Sequence, residues 1–390
     1  MFGSRRLPTI VLALLLCVIA LPAEPTAAQE DGAPVSIGTY RVIESQALGE
    51  TRRLLIHLPR GYDGSAISYP VVYHTYGDYM TYYADAYYTI ETLGNEARTP
   101  QLILVGIDNI DRYRDLRPLQ HNGEPAGIEN YTRFLTDEVM PFVEKEYRTA
   151  GYRILVGPQA GAVFCLYTLQ NTPELFDAFI LNNPFVSAPN TALLLEQAKE
   201  FYTVRESLHK FFYVTFGGVD ESAENIADIK QFAQLVGPAF DKGFELRLND
   251  ISGNDDFITP LYLKEGLRAL FEKYYVPMDR HFTSLSEIKS FYDDLSAHYG
   301  YDVAPAEWVM TRSADALIEQ GDRGNAVGIL EHQTALYPNM VNGWWRLAGI
   351  AAEEGDTDKA IALYRKCVEI NPSMSNFVGR RINALKENAR

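Results

Sequence analysis

The chain has 390 residues, a formal net charge of −16 at pH 7, 47% hydrophobic residues and 22% charged residues. This composition excludes wholesale disorder, and the length allows one large domain with a smaller one. The strong negative charge argues against nucleic acid or an anionic membrane surface as a partner.

The N-terminus has the pattern of a secretory signal peptide. Arg5 and Arg6 precede an apolar run over residues 10–21, and small residues at 26–28 offer a cleavage site. An apolar run of this length is too short to span a membrane permanently. We therefore predict a signal peptide over residues 1–28, export to the periplasm or the medium, and no integral membrane span after its removal.

Short apolar segments alternate with helical segments from residue 36 to residue 275. We predict strands within 38–58 (two strands), 69–75, 101–107, 154–156, 177–182, 211–216 and 243–249, and helices over 127–147, 162–169, 191–205, 223–236 and 261–275. This alternation predicts a mainly parallel sheet covered by helices on both faces. Because ligands of such sheets bind at the carboxyl ends of the strands, the loops after Val156, Phe216 and Ile251 are candidate site loops.

The stretch Ile154–Ala162 has the layout of a nucleophile elbow, a sharp turn from a strand into a helix that exposes one side chain. Small residues flank its tip, where the backbones of strand and helix come close together. The tip residue of such an elbow is normally serine, but here it is Gln159. A carboxamide is neither a nucleophile nor a base at ordinary pH.

The C-terminal part repeats with a period of 34 residues. Equivalent small, turn and proline residues recur as the pairs Ala314 and Ala348, Gly321 and Gly355, Asp322 and Asp356, Ala326 and Ala360, and Pro338 and Pro372. This period predicts tetratricopeptide (TPR) helix pairs over residues 306–390, after a connecting helix and linker over 276–305. Two such units do not fold alone, so we expect them to dock on the connecting helix or on the first domain. The repeats either bind a protein partner or only cover apolar surface.

The first domain resembles the serine esterase family that includes esterase D-like, feruloyl and enterochelin esterases. The resemblance spans residues 36–275 and is supported by the segments 56–62, 105–108 with 114–118, and 262–271. The 276–390 segment resembles the TPR extension of some members. The resemblance implies an α/β-hydrolase fold for the domain 36–275.

The resemblance also implies positions for a catalytic triad. Gln159 stands at the position of the nucleophilic serine, and Asp220 stands at the position of the acid, with Glu221 as an adjacent candidate. Asp256, or Asp255 in a register shifted by one, stands where the family has its histidine base. Two of the three triad members are therefore replaced, and the retained acid has no histidine to orient.

The resemblance places the oxyanion-hole region at Tyr76, Gly77 and Ala160. The tyrosine before Gly77 departs from the usual pattern of this turn, so we do not expect an intact oxyanion hole. His74, at the end of the preceding strand, is the best alternative base, although the alternation of side chains along a strand could equally leave it packed in the core. Ser252 is interpreted as a turn-capping hydroxyl.

Two cysteines, Cys165 and Cys367, lie outside the predicted signal peptide, each on an apolar helical face. We expect both to be core thiols and not to form a disulfide with each other.

These observations predict a secreted, catalytically degenerate member of the esterase family that binds a small-molecule or ester-like ligand. The alternatives are an active carboxylic-ester hydrolase with a rearranged site, and a fold retained only as a spacer for the repeats. We predict no cofactor and no metal. Asp220 and Asp256 leave one further hypothesis open, because two carboxylates facing each other would share a proton or hold a cationic ligand.

Overall fold

Eight strands form one sheet in the computed structural model, which describes residues 35–184, 188–204, 207–218, 221–252 and 261–388. The strand order is β1-β2-β4-β3-β5-β6-β7-β8. Only the β1–β2 and β2–β4 pairings are antiparallel. The predicted mainly parallel sheet is therefore confirmed. The strands are β1 Thr39–Ser45, β2 Glu50–His57, β3 Tyr69–His74, β4 Ile103–Ile107, β5 Thr149–Pro158, β6 Ala178–Asn182, β7 Lys210–Phe216 and β8 Phe244–Asp250.

Helices α1 to α8 accompany the sheet, and α9 to α14 follow it in the chain. A π-helical turn over Leu135–Val139 joins α3 to α4. The helices are α1 Met80–Asn95, α2 Arg112–Asp115, α3 Ile128–Phe134, α4 Met140–Glu146, α5 Ala160–Asn171, α6 Ala188–Val204, α7 Ala223–Val236, α8 Leu261–Leu270, α9 Leu285–Tyr299, α10 Glu307–Glu319, α11 Arg323–Leu336, α12 Val341–Glu353, α13 Thr357–Ile370 and α14 Ser375–Asn388.

The two faces of the sheet are buried under different sets of helices. In β5, Leu155 belongs to the apolar cluster formed with α3 to α7, whereas Ile154 and Val156 belong to the cluster that includes α1 and α8. Successive residues of a strand point to opposite faces. The continuous apolar run of β5 therefore serves both layers of the core.

The helical repeats dock on the first domain, as expected. Apolar residues of α9, α10 and α11 join the same buried cluster as those of α1 and α8. The backbone N–H of Ala66 donates to the carbonyl of Leu336 at 2.8 Å, and the N–H of Asn339 donates to the carbonyl of Gly64 at 3.1 Å. The repeats thus share a hydrophobic core with the sheet domain, and α12 to α14 add a small cluster of their own.

The 34-residue period corresponds to the helix pairs α10–α11 and α12–α13. Gly321 and Gly355 have φ of 83° and 82°, the left-handed conformation that glycine adopts easily at a helix end. Asp322 and Asp356 follow them, and the carboxylate of each accepts the N–H of the third residue on, capping α11 and α13. The repeated Gly-Asp pair therefore ends one helix and starts the next.

The structure also differs from the sequence predictions. Helix α1 was not predicted, because its many tyrosines mask the apolar spacing of its buried residues Tyr83, Ala86, Ile90 and Leu93. Helix α8 ends at Leu270, earlier than predicted. The predicted signal peptide lies outside the described residues. Within the described part, no helix is long and apolar enough to cross a membrane.

Candidate functional site

The turn between β5 and α5 has the strained geometry of an elbow. Gln159 has φ 50° and ψ −111°, which non-glycine residues rarely adopt, and its side chain is exposed. A Cβ atom at Gly157 would overlap the carbonyl of Gly161, and one at Gly161 would overlap the hydroxyl of Thr75. Close packing therefore requires both glycines and presents the glutamine to solvent at the carboxyl edge of the sheet.

Strand β6 holds the tip of the elbow in place. The backbone N–H of Gln159 donates to two oxygens of Asn182, the backbone carbonyl oxygen at 3.2 Å and the side-chain Oδ1 at 3.1 Å. Asn182 is buried at the end of β6. These bonds compensate part of the strain at Gln159, because they satisfy a donor that the turn would otherwise leave unpaired.

The predicted anion-binding residues are engaged with each other and with the core. The N–H of Gly77 donates to the carbonyl of Ile107 at 2.9 Å, and the N–H of Tyr76 donates to Nδ1 of His74 at 3.1 Å. Burial raises the pKa of the Tyr76 phenol to about 12, against the opposing effects of the Arg112 charge and of a hydrogen bond with the backbone of Ala160. The Tyr76 phenol therefore lies near the backbone of Ala160, the residue that follows the elbow tip.

His74 is a buried structural residue. Its Nδ1 accepts the Tyr76 N–H, so the ring proton is on Nε2, which lies 3.1 Å from the hydroxyl of Tyr262 in α8. Burial lowers the pKa of His74 to about 3. The imidazole is therefore neutral at ordinary pH, and neither ring nitrogen is free to take a proton from a substrate.

The loops after β6 and β7 bring Glu221 to the site edge. Its carboxylate accepts a hydrogen bond from the backbone N–H of Gly217. When the Asn183 amide is oriented to donate, its nitrogen lies 2.7 Å from the same carboxylate. Burial raises the pKa of Glu221, the Gly217 N–H lowers it, and the charge of Asp250 raises it. The other predicted triad positions, Asp220 and Asp256 (or Asp255), lie outside the described residues.

The alternative nucleophiles are not activated. Ser252 donates its backbone N–H to the Asp250 carboxylate at 2.9 Å, and hydrogen bonds from Ser252 lower the pKa of Asp250, as in a turn. Cys165 and Cys367 are buried free thiols whose pKa burial raises, in the case of Cys367 to about 12. Among the residues that the structure describes, no three His, Cys, Asp or Glu side chains are grouped to hold a metal ion.

Sequence reasoning missed the arginines that follow β4. The guanidinium carbon of Arg112 lies 4.6 Å from the ring centroid of Tyr76, and Arg112 pairs with Asp78. A pocket of about 740 Å³ opens beside these groups and is lined by Tyr113, Arg117 and other residues of the 111–127 segment. The signal for it was present, because a charged run directly after a buried strand lies at the carboxyl edge of a parallel sheet.

Comparisons with known proteins concern the family and the fold of the chain. Residues 45–211 match the family model described as "Putative esterase", and residues 341–374 match a tetratricopeptide repeat. The chain is 28% identical over 147 residues to the uncharacterized protein YjcH of Bacillus subtilis (strain 168), an alignment that covers 36% of this chain and 59% of that protein. The match thus spans only about three fifths of that curated relative.

Two solved structures are similar to the chain. An IroE-like serine hydrolase from Shewanella oneidensis aligns with a TM-score of 0.63 and 22% identity, over 76% of this chain and 99% of that one. An uncharacterised protein from Capnocytophaga ochracea DSM 7271 aligns with a TM-score of 0.56 and 14% identity, over 90% and 99% of the two chains. At these identities the likeness concerns the fold alone, and it confirms the α/β-hydrolase fold with its C-terminal helical repeats.

Proposed function

We propose that this chain, an esterase-like α/β-hydrolase with a tetratricopeptide extension, is a catalytically degenerate hydrolase that binds a small-molecule or ester-like ligand. The observation that carries the proposal is the exposed Gln159 at the tip of an otherwise intact elbow. Its carboxamide can donate and accept hydrogen bonds, but it cannot attack a carbonyl. The elbow therefore presents a recognition group where a serine esterase presents its nucleophile.

The surroundings of Gln159 support the same proposal. The sequence places Asp256 at the position of the histidine base, and the buried His74 has both ring nitrogens engaged. Nucleophile and base act as a unit in serine hydrolases, so losing both removes several orders of magnitude of rate. We assign Gln159, Asp220 and Asp256 to triad-equivalent positions that no longer work as a triad.

The hydrogen bonds of the Tyr76 and Gly77 amides also support binding and argue against acyl transfer. An oxyanion hole needs donors that are free and directed at the developing charge. Here the N–H groups of Tyr76 and Gly77 donate to His74 and Ile107, and the Tyr76 phenol lies near the backbone of Ala160. A tetrahedral intermediate would find neither the Tyr76 amide nor the Gly77 amide unoccupied.

The proposal extends to the chain as a whole. We assign residues 36–275 to the ligand-binding domain and 306–390 to a repeat module for a protein partner, joined by 276–305. The tetratricopeptide match supports a protein partner, because such repeats commonly form binding surfaces.

The N-terminal pattern over 1–28, two arginines before an apolar run, supports export. Fusing that segment to alkaline phosphatase, which is active only after export, tests this part, and an inactive fusion would contradict it.

The first test of the proposal is hydrolysis of p-nitrophenyl acetate and p-nitrophenyl butyrate by the purified protein without residues 1–28, beside the Gln159→Ala variant. We expect both proteins to show a cooperative thermal transition and no hydrolysis above the buffer rate. Activity in the parent that Gln159→Ala abolishes would overturn the proposal. Activity that persists in Gln159→Ala and co-purifies with the protein through a second column would instead reveal an active hydrolase with a relocated nucleophile.

A further inference from the structure

Arg117 is a buried cation that has no carboxylate partner among the residues described in the structure. The residue follows α2 by two positions in the chain and is 6% exposed. Its Nε has no hydrogen-bond partner, and its only bond among the described residues joins Nη1 to Nε2 of His121 at 3.4 Å. Nearby Arg112 and Arg114 both pair with carboxylates. Within the described ranges, Arg117 is therefore the one of these three arginines that pairs with no carboxylate, and its guanidinium contacts only aromatic rings.

Burying a charge without compensation is costly. Burial lowers the pKa of Arg117, whereas the neighbouring phenols of Tyr113 and Tyr76 raise it. A guanidinium nevertheless stays protonated in proteins, so it cannot escape the cost by losing its proton. An anionic ligand that bonds to the guanidinium would remove the penalty, because a charge-assisted pair is much stronger in a partly desolvated site than in water.

The surroundings of Arg117 form a pocket for an organic anion. The pocket has a volume of about 740 Å³ and lies at the carboxyl end of β4, on the sheet edge that carries Gln159. The ring centroid of Tyr113 lies 4.3 Å from the Arg117 guanidinium carbon and 5.9 Å from the ring of His121. Two ring systems thus stand beside the cation and offer apolar surface to the body of a ligand.

We propose that this pocket binds a monoanionic carboxylate through Arg117, with the organic part of the ligand against Tyr113 and His121. A planar guanidinium matches the two oxygens of a carboxylate. One unpaired cation neutralises one negative charge, and the acidic protein disfavours a phosphate dianion. The inference rests on the proposed binding function and names its ligand class, an organic monocarboxylate.

The test is isothermal titration calorimetry on the purified protein without residues 1–28. Sodium benzoate is the probe, methyl benzoate is its neutral counterpart and phenyl phosphate is the dianion. Arg117→Gln removes the charge, and Arg133→Gln is the matched control, because Arg133 is exposed on α3 and its guanidinium donates to the Asn130 side chain. Tyr113→Ala removes a ring that is 60% exposed and leaves the core intact.

We expect benzoate to bind the parent and Arg133→Gln equally, and to bind Arg117→Gln about tenfold more weakly or worse, because a hydrogen bond to a charged group is lost. Tyr113→Ala should weaken binding about threefold through the lost ring contact. Methyl benzoate should bind poorly to every variant.

Three results would overturn the inference: no benzoate binding to the folded parent at millimolar concentration, equal binding of benzoate and methyl benzoate, or equal losses in Arg117→Gln and Arg133→Gln. Tighter binding of phenyl phosphate than of benzoate would refute the carboxylate assignment. Hydrolysis of p-nitrophenyl acetate is measured on the same samples. Hydrolysis in that assay would refute the proposed catalytic degeneracy. The comparison of Arg117→Gln with Arg133→Gln would still test carboxylate binding at Arg117 separately.

Discussion

The Nδ1 atom of His74 accepts a hydrogen bond from the backbone N–H of Tyr76 at 3.1 Å. Because this nitrogen is engaged, His74 has a structural role and does not act as a base. Through this bond the imidazole ring holds the backbone of the turn that follows β3. The same turn carries the phenol that lies near the backbone of Ala160. A histidine at the end of β3 thus positions a residue beside the elbow.

The buried His74 makes the stability of the protein fall as the pH falls. Its pKa is about 3 in the folded state, lowered by burial, against an ordinary value of 6.5. Below pH 6.5 the unfolded chain binds a proton that the folded protein excludes, so the contribution is fully present above that pH and is lost toward pH 3. One such group changes the free energy of unfolding by about 1.4 kcal/mol per pH unit inside that window.

Urea unfolding of the parent and of His74→Gln at pH 7.5 and pH 5.5 checks this. We expect the parent to lose more stability between the two pH values than His74→Gln does. His281→Gln, at an exposed position, serves as the control and should follow the parent. Parallel losses in the parent and in His74→Gln would refute the assignment.

The glycines of the elbow are required by packing. A Cβ at Gly161 would overlap the Thr75 hydroxyl, so Gly161→Ala forces the strand and the helix apart. We expect a loss of about 3 kcal/mol or more, typical of severe overpacking. Gly349→Ala is the matched control, because Gly349 lies inside α12 with open space around it, and alanine there should stabilise the helix by up to about 1 kcal/mol. Equal melting temperatures of the two variants would contradict the packing argument.

Asp115 anchors the segment that carries the Arg117 pocket. Its carboxylate lies 2.6 Å from Nη2 of Arg52, and both side chains are fully buried. Asp115→Asn leaves the Arg52 charge without this partner and should cost about 3–5 kcal/mol in unfolding free energy. The comparison is Glu353→Gln, which breaks the exposed pair with Arg323 and should cost less than about 1 kcal/mol. Chemical denaturation measures both, and a small loss in Asp115→Asn would show that Glu50 or water compensates Arg52.

The proposed degeneracy predicts that activity can be restored stepwise. Gln159→Ser combined with Asp256→His restores the two missing residue types, and we expect slow hydrolysis of p-nitrophenyl acetate from the pair but none from either change alone. Adding Tyr76→Phe removes the hydroxyl that lies near the Ala160 backbone. One freed oxyanion donor should raise kcat about a hundredfold. If Tyr76→Phe leaves kcat of the double variant unchanged, the phenol does not block the oxyanion region.

Local chemistry made the larger features predictable from the sequence. The apolar run at 154–156 predicted β5 because strand residues buried on both faces are apolar without alternation. The elbow was predictable because two glycines bracket one exposed position, and the helix pairs because Gly-Asp turns recur 34 residues apart. Helix α1 escaped prediction, since its tyrosines favour strands as readily as a helix face.

The sequence by itself determined the strand–helix alternation, the glutamine at the elbow tip and the repeat period, because each follows from residue types at fixed spacings along the chain. Only the tertiary structure decided the roles of His74, Tyr76 and Arg117. His74 meets Tyr262 across 188 residues of chain, and Tyr76 reaches Ala160 only when β3 and β5 pair side by side. The protonation state of His74, the position of the Tyr76 phenol and the environment of Arg117 depend on groups that are distant in the sequence. Only folding brings these groups together.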